Sequence, residues 1–131
     1  MSEDPAEISA NRAEREKLKL IPVDDLLVAI KNGDKIDLEG ADVQGDLDIN
    51  KLELERDEDG FTRIDSSIRI VNSNINGATK LNKAIFRKSI VFSGTKFEGD
   101  ASFEFSIFEK LADFSSAIFN ADATFWQARF Q

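Results

Sequence analysis

An all-β solenoid, with four short sides to each coil, is the fold class this sequence predicts, and three observations carry it. First, phenylalanine recurs at Phe86, Phe92, Phe97, Phe103, Phe108, Phe114, Phe119, Phe125 and Phe130, in steps of six and five that sum to a period of eleven. Second, two residues before each rung sits a companion, usually small: Ala84, Ile90, Thr95, Ala101, Ser106, Ala112, Ala117, Ala123 and Ala128. Third, turn-forming residues such as Gly94, Gly99, Asp100, Ser115, Ser116 and Asn120 fill the gaps between these pairs.

An α-helix cannot satisfy this pattern. At ~100° per residue, a five-residue step puts consecutive rungs ~140° apart, on separate faces, and half the rings would meet water. Gly, Ser, Asn and Asp also disfavour helix interiors. In an extended segment, residues two apart point the same way, so companion and rung face inward together. The residues between pairs turn a corner, and sides of five, six, five and six residues close a coil of 22. Stacked coils then share backbone hydrogen bonds and one inner column.

The N-terminal part begins with a charged segment, residues 1–21, read as helical or partly disordered, where Pro5 after Asp4 suits a helix start. A capping helix is expected within 22–34: Asp24 and Asp25 suit its first turn, Leu26, Leu27, Ala29 and Ile30 give an apolar face, and Gly33 supplies the stop. So short a helix needs something to cover. The repeat region, 35–131, starts with aliphatic rungs Leu38, Val43, Ile49 and Leu54, then resumes at Ile70, Ile75, Leu81 and Phe86. Between them, Asp59-Gly60 sits among alternating residues and predicts a β-hairpin insertion over about 52–66. From Leu54 to Ile70 is a six-residue step plus ten inserted residues. Sixteen rungs, four to a coil, make about four coils, with Phe92 over Phe114, Phe97 over Phe119, Phe103 over Phe125 and Phe108 over Phe130.

The rung-and-companion pattern, seen in ADFSSAIF, DASFEFSIF and EGADVQGDLDI, resembles that of pentapeptide-repeat proteins. Their five-residue unit centres on Leu or Phe with a small residue two positions earlier. The resemblance implies a right-handed quadrilateral β-helix. The extra residue in every second unit departs from the family's pattern and predicts bulged corners at 98–100, 109–111 and 120–122.

Composition narrows function more by exclusion than by indication. Without His or Cys, the commonest general base and the thiolate metal sites are unavailable. The remaining acids and lysines fall mostly on outward or corner positions, so no catalytic residue, cofactor or metal site is assigned. Asp46 with Asp48, and Asp57 with Asp59, lack the ligand spacing of a calcium loop. A net charge of −8 argues against nucleic-acid binding. No apolar run approaches a membrane span or a signal peptide, which points to a cytoplasmic protein.

Among the apolar residues that miss the inward positions are Ile85, Phe105, Ile107 and Trp126. They are the candidate interface for a protein partner. Self-association is the other partner expectation, an end-to-end homodimer through the C-terminal coil. The expected function is a non-enzymatic scaffold or protein–protein interaction module. The alternative implied by the resemblance is an acidic DNA mimic that inhibits a type II topoisomerase such as gyrase. Against it, residues 69–96 hold six bases and no acid.

Overall fold

The computed structural model describes residues 17–131. Four parallel sheets line the four sides of a stack of coils. The first face carries Ile36–Glu39, Ile68–Val71, Ile90–Val91 and Ala112–Asp113. The second carries Lys19–Pro22, Ala41–Gln44, Asn74–Ile75, Lys96–Phe97 and Ile118–Phe119. The third carries Leu47–Asp48, Thr79–Lys80, Ala101–Ser102 and Ala123–Thr124. The fourth carries Thr62–Ile64, Ala84–Phe86, Ile107–Phe108 and Arg129–Phe130. Partners such as Ile90 and Ala112, Lys96 and Ile118, Ala101 and Ala123, and Phe108 and Phe130 lie 22 residues apart, as four sides of alternating five and six require.

The alternating step lengths make two kinds of corner. In the third and fourth coils each five-residue step closes as a tight turn with an i to i+3 hydrogen bond: the N–H groups of Thr95, Ser106, Ala117 and Ala128 donate to the carbonyls of Phe92, Phe103, Phe114 and Phe125. Such a turn needs positive φ at its third residue when it has type II geometry. Asn72, Lys83, Gly94, Phe105, Ser116 and Gln127 all have it, spaced eleven apart. The six-residue steps pass through looser bends at 98–100, 109–111 and 120–122, where the longer unit places its extra residue. At one of these bends a Cβ on Gly99 would meet the Gly77 carbonyl oxygen at 2.6 Å, so only glycine lets the coils approach there.

The rungs of the inner column are shielded from solvent in the middle of the stack. Val43, Ile70, Ile75, Leu81, Phe86, Phe92, Phe97 and Phe103 are fully buried, and Ile49 and Phe108 nearly so. Rings stack coil on coil: Phe86 on Phe108 at 5.0 Å, Phe97 on Phe119 at 4.8 Å, Phe103 on Phe125 at 5.0 Å and Phe108 on Phe130 at 4.8 Å, with planes within 9°. Phe92 stacks on Phe114 at 5.6 Å with a 25° tilt. Within one coil the rings meet edge to face, as for Phe92 and Phe97 at 5.2 Å and 68°. Both arrangements suit the ring quadrupole.

The ends of the column differ from its middle. At the first coil Leu38 is only half-buried, although it pairs with Ile70, and Ile36 two residues earlier carries the buried contact. At the fourth coil Phe114, Phe119 and Phe125 keep their inward register but are half-buried, and Phe130 is 58% exposed. Their stacking partners lie on one side only, so register alone did not guarantee burial.

The helix Val23–Asn32 buries Val23, Leu26, Leu27 and Ile30, and packs against the strands Lys19–Pro22, Ile36–Glu39 and Leu47–Asp48. Gly33 ends it in the left-handed conformation at φ 71°, its N–H donating to the Ile30 carbonyl. Two sequence expectations need correction near this end. Residues 19–21, read as part of a helical or partly disordered segment, instead open the strand Lys19–Pro22, which pairs in parallel with Ala41–Gln44 and sets Ile21 beside Val43. The helix start expected at Pro5 lies outside the described residues.

The second correction moves a rung. The fourth-face rung of the first coil is Ile64, which pairs with Phe86 and is 1% exposed, and not Leu54, which is half-buried outside the column. The ten inserted residues therefore precede the fourth side, between Ile49 and Ile64, rather than following it. Both Leu52-Glu53-Leu54 and Thr62-Arg63-Ile64 offer the same inward-outward-inward alternation, so spacing could not separate them. The turn decides it. Asp57 accepts hydrogen bonds from the N–H groups of Asp59 and Phe61, which reverses the chain and delivers Thr62 straight onto Lys83. The hairpin expected over 52–66 shrinks to one antiparallel bridge between Arg56 and Thr62, because its second arm joins the fourth sheet. Leu54 instead lines a cleft of about 360 Å³ with Ile30 and Gly33 of the helix end and with Arg63 and Asp65.

Candidate functional site

The four candidate interface residues lie on the fourth face and at the corners that lead into it. Ile85 and Ile107 are neighbours in register on the fourth sheet, each followed directly by an inward rung, so both side chains face outward. They are half-buried. Phe105 and Trp126 sit in the tight turns that lead from the third face to the fourth, in successive coils. Their rings meet edge to face at 5.2 Å and 73°. The Phe105 N–H also donates to the Trp126 carbonyl at 2.9 Å. Trp126 is 61% exposed.

Phe105 holds an unusual backbone position. At φ 62° it occupies the left-handed region, which is a true outlier for a bulky side chain. The corner itself demands that conformation, since Asn72, Lys83, Gly94, Ser116 and Gln127 adopt it at equivalent places. Those five are glycine or polar residues. A left-handed non-glycine residue costs about 1–2 kcal/mol, and the Phe105 ring returns part of that through Trp126, at about 0.5–1.5 kcal/mol.

Charge is arranged around the patch in a way the linear sequence shows only in part. The outward column of the fourth sheet reads Arg63, Ile85, Ile107, Arg129 from the first coil to the fourth. Arg87 lies beside it and pairs with Glu109 at 3.6 Å. On the first face, by contrast, the acids of the first coil meet the bases of the second: the Arg69 guanidinium donates to Asp37 at 2.7 Å, across the pair those residues form in the sheet. Such exposed pairs are worth about 0–1 kcal/mol each. The Ser115 hydroxyl, with the Ser115 N–H second, holds the Asp113 carboxyl below the usual carboxylate range.

Sequence reasoning marked the four candidate interface residues as outward because the rung register is strict enough to expose its exceptions. It missed the Arg63 and Arg129 ends of the column, because Arg63 joins the fourth sheet only once the inserted loop is placed before it. No signal in the sequence marked Phe105 as left-handed beyond its eleven-residue offset from Gly94.

Four stacked parallel sheets repeating every 22 residues define a quadrilateral β-helical repeat protein. Residues 92–131 match the family model for pentapeptide repeats (9 copies). The same ladder continues back through Ile68 to Ile36 in the first sheet. No curated protein and no solved structure matches the chain. Among the described residues, no helix is long and apolar enough to cross a membrane.

Proposed function

We propose that this protein is a non-enzymatic, cytoplasmic scaffold that binds another protein through the patch of Ile85, Phe105, Ile107 and Trp126. The observation that carries the reading is Phe105, a large apolar side chain held at the surface in a left-handed corner that glycine or polar residues fill elsewhere. Strain retained at the surface, beside an exposed tryptophan, is the mark of a contact made for something outside the chain. Proximity labelling in cells tests this with the full chain and its Phe105→Ala/Trp126→Ala variant. Loss of a defined set of neighbours in the variant supports the reading, and an identical set in both rejects it.

A second reading concerns self-association. The fourth coil presents partly uncovered Phe114, Phe119 and Phe125 and an exposed Phe130 as an apolar floor. A second copy stacking end to end would cover these rings and pair the open strand edges. Sedimentation velocity across a hundredfold concentration range distinguishes a dimer from a monomer, and a Phe130→Glu substitution should dissociate it.

A further inference from the structure

We infer that the fourth face docks an extended acidic segment of a partner protein, with two carboxylates four residues apart flanking an apolar side chain. This rests on the reading of the patch as an interaction surface and adds the chemistry of what it takes.

The outward column Arg63, Ile85, Ile107, Arg129 is a straight line of four residues, one per coil. Strands lie ~4.8 Å apart, so the two arginines stand about 14 Å apart, with the two isoleucines between them. An extended peptide laid along the stack advances ~3.4 Å per residue and points alternate side chains the same way. Residues i and i+4 then reach the two arginines, and residue i+2 falls over Ile85 and Ile107. A helix, rising ~1.5 Å per residue, would need about nine residues for the same span and would not keep its side chains in line. Phe105 and Trp126, at the corners of the third and fourth coils, flank the Ile107–Arg129 half of this strip.

Charge sets the sign of the partner. The fourth face with its flanking corners (62–65, 82–89, 104–111 and 126–131) holds six cations, Arg63, Lys83, Arg87, Lys88, Lys110 and Arg129, against the acids Asp65, Glu104 and Glu109. The whole chain carries −8, so this face is positive on a negative molecule. Among the described residues neither Arg63 nor Arg129 has a carboxylate within ion-pair distance, whereas Arg87 is paired with Glu109. A guanidinium left open in this way suits bidentate carboxylate recognition. Two isoleucines at the centre of the strip favour a peptide over a phosphate backbone, which has no apolar group to place there.

Selection from a phage-displayed library of random twelve-residue peptides on the full chain tests the inference, followed by fluorescence-polarisation titration of the selected peptides. Enriched peptides should carry Asp or Glu at i and i+4 around an apolar i+2. Arg63→Glu and Arg129→Glu should each weaken binding about tenfold, equivalent to ~1.4 kcal/mol, while the thermal melt stays unchanged because both side chains are exposed. No enrichment, neutral or basic selected peptides, or affinities unmoved by both arginine reversals would overturn it. So would tighter binding to phosphatidylserine vesicles than to any peptide. Peptides lost on Phe105→Ala/Trp126→Ala but indifferent to the arginines would leave the interaction surface standing and remove only its acidic partner.

Discussion

Ser106 and Leu81 are tied across adjacent coils: the Ser106 hydroxyl donates to the Leu81 carbonyl oxygen at 2.6 Å while accepting from the Ala84 N–H at 3.1 Å. Thr95 does the same one tight turn earlier, donating to the Ile70 carbonyl at 2.7 Å and accepting from the Ser73 N–H at 3.4 Å. These companion positions follow the tight turns, and the hydroxyls there bridge backbone groups of the coil beneath. They are therefore more than small fillers. Replacing Ser106 with Ala should leave those buried groups without a partner and cost about 1–3 kcal/mol in urea unfolding. A loss below about 0.3 kcal/mol would show that water takes over the role.

The Phe ladder should give a graded response rather than a uniform one. Phe103, fully buried between its stacked and edge-on neighbours, should cost about 3–5 kcal/mol when changed to Ala. Phe125, half-buried over the same site, should cost less, and the exposed Phe130 least of the three. Equal losses at Phe103 and Phe130 in denaturant melts would mean that the fourth coil is covered in solution.

Ile64 and Leu54 separate the two possible placements of the inserted loop. Ile64→Ala removes a rung that pairs with Phe86 and should cost about 2–4 kcal/mol. Leu54→Ala opens a side chain that lines the cleft by the helix end and should cost under about 1 kcal/mol. The reverse order in calorimetry would return Leu54 to the column.

Phe105→Gly isolates the surface role of the strained corner. Relief of the left-handed backbone returns about 1–2 kcal/mol, and loss of the Trp126 contact takes back a similar amount. Stability should therefore change by less than about 1 kcal/mol, while Trp126 emission shifts as its ring loses its edge-on neighbour.

Asp113 gives a pH-dependent prediction whose sign follows from its hydrogen bonds. Ser115 stabilises the charged form, so the folded carboxyl titrates below its unfolded value. The favourable contribution is present above the unfolded value and fades as pH falls through the folded one. Ser115→Ala should move the Asp113 titration upward in an NMR pH series. An unchanged midpoint would assign the shift elsewhere.

Much of this molecule is written in spacing. Alternate steps of five and six, with companions two residues earlier, determine the inward faces and the 22-residue coil, because side-chain direction in extended chain alternates residue by residue. The helix at Val23–Asn32 was legible too, from its apolar face and from Gly33. The same strict register singled out Phe105 and Trp126 as misfits.

What spacing could not determine was which of two equivalent arms becomes a rung. Leu54 and Ile64 both fit, and the choice fell to the Asp57 turn and to the pairing offered by Ala84 and Phe86 in the next coil. Lys19–Pro22 likewise became a strand only because the Ala41–Gln44 edge was there to receive it. Arg63 and Arg129 could be seen as the ends of one column with Ile85 and Ile107 only after that choice was made. The sequence by itself determined what faces in, since periodicity is local. Only the tertiary structure decided what stands beside what, since pairing between coils depends on neighbours that lie 22 or 32 residues away.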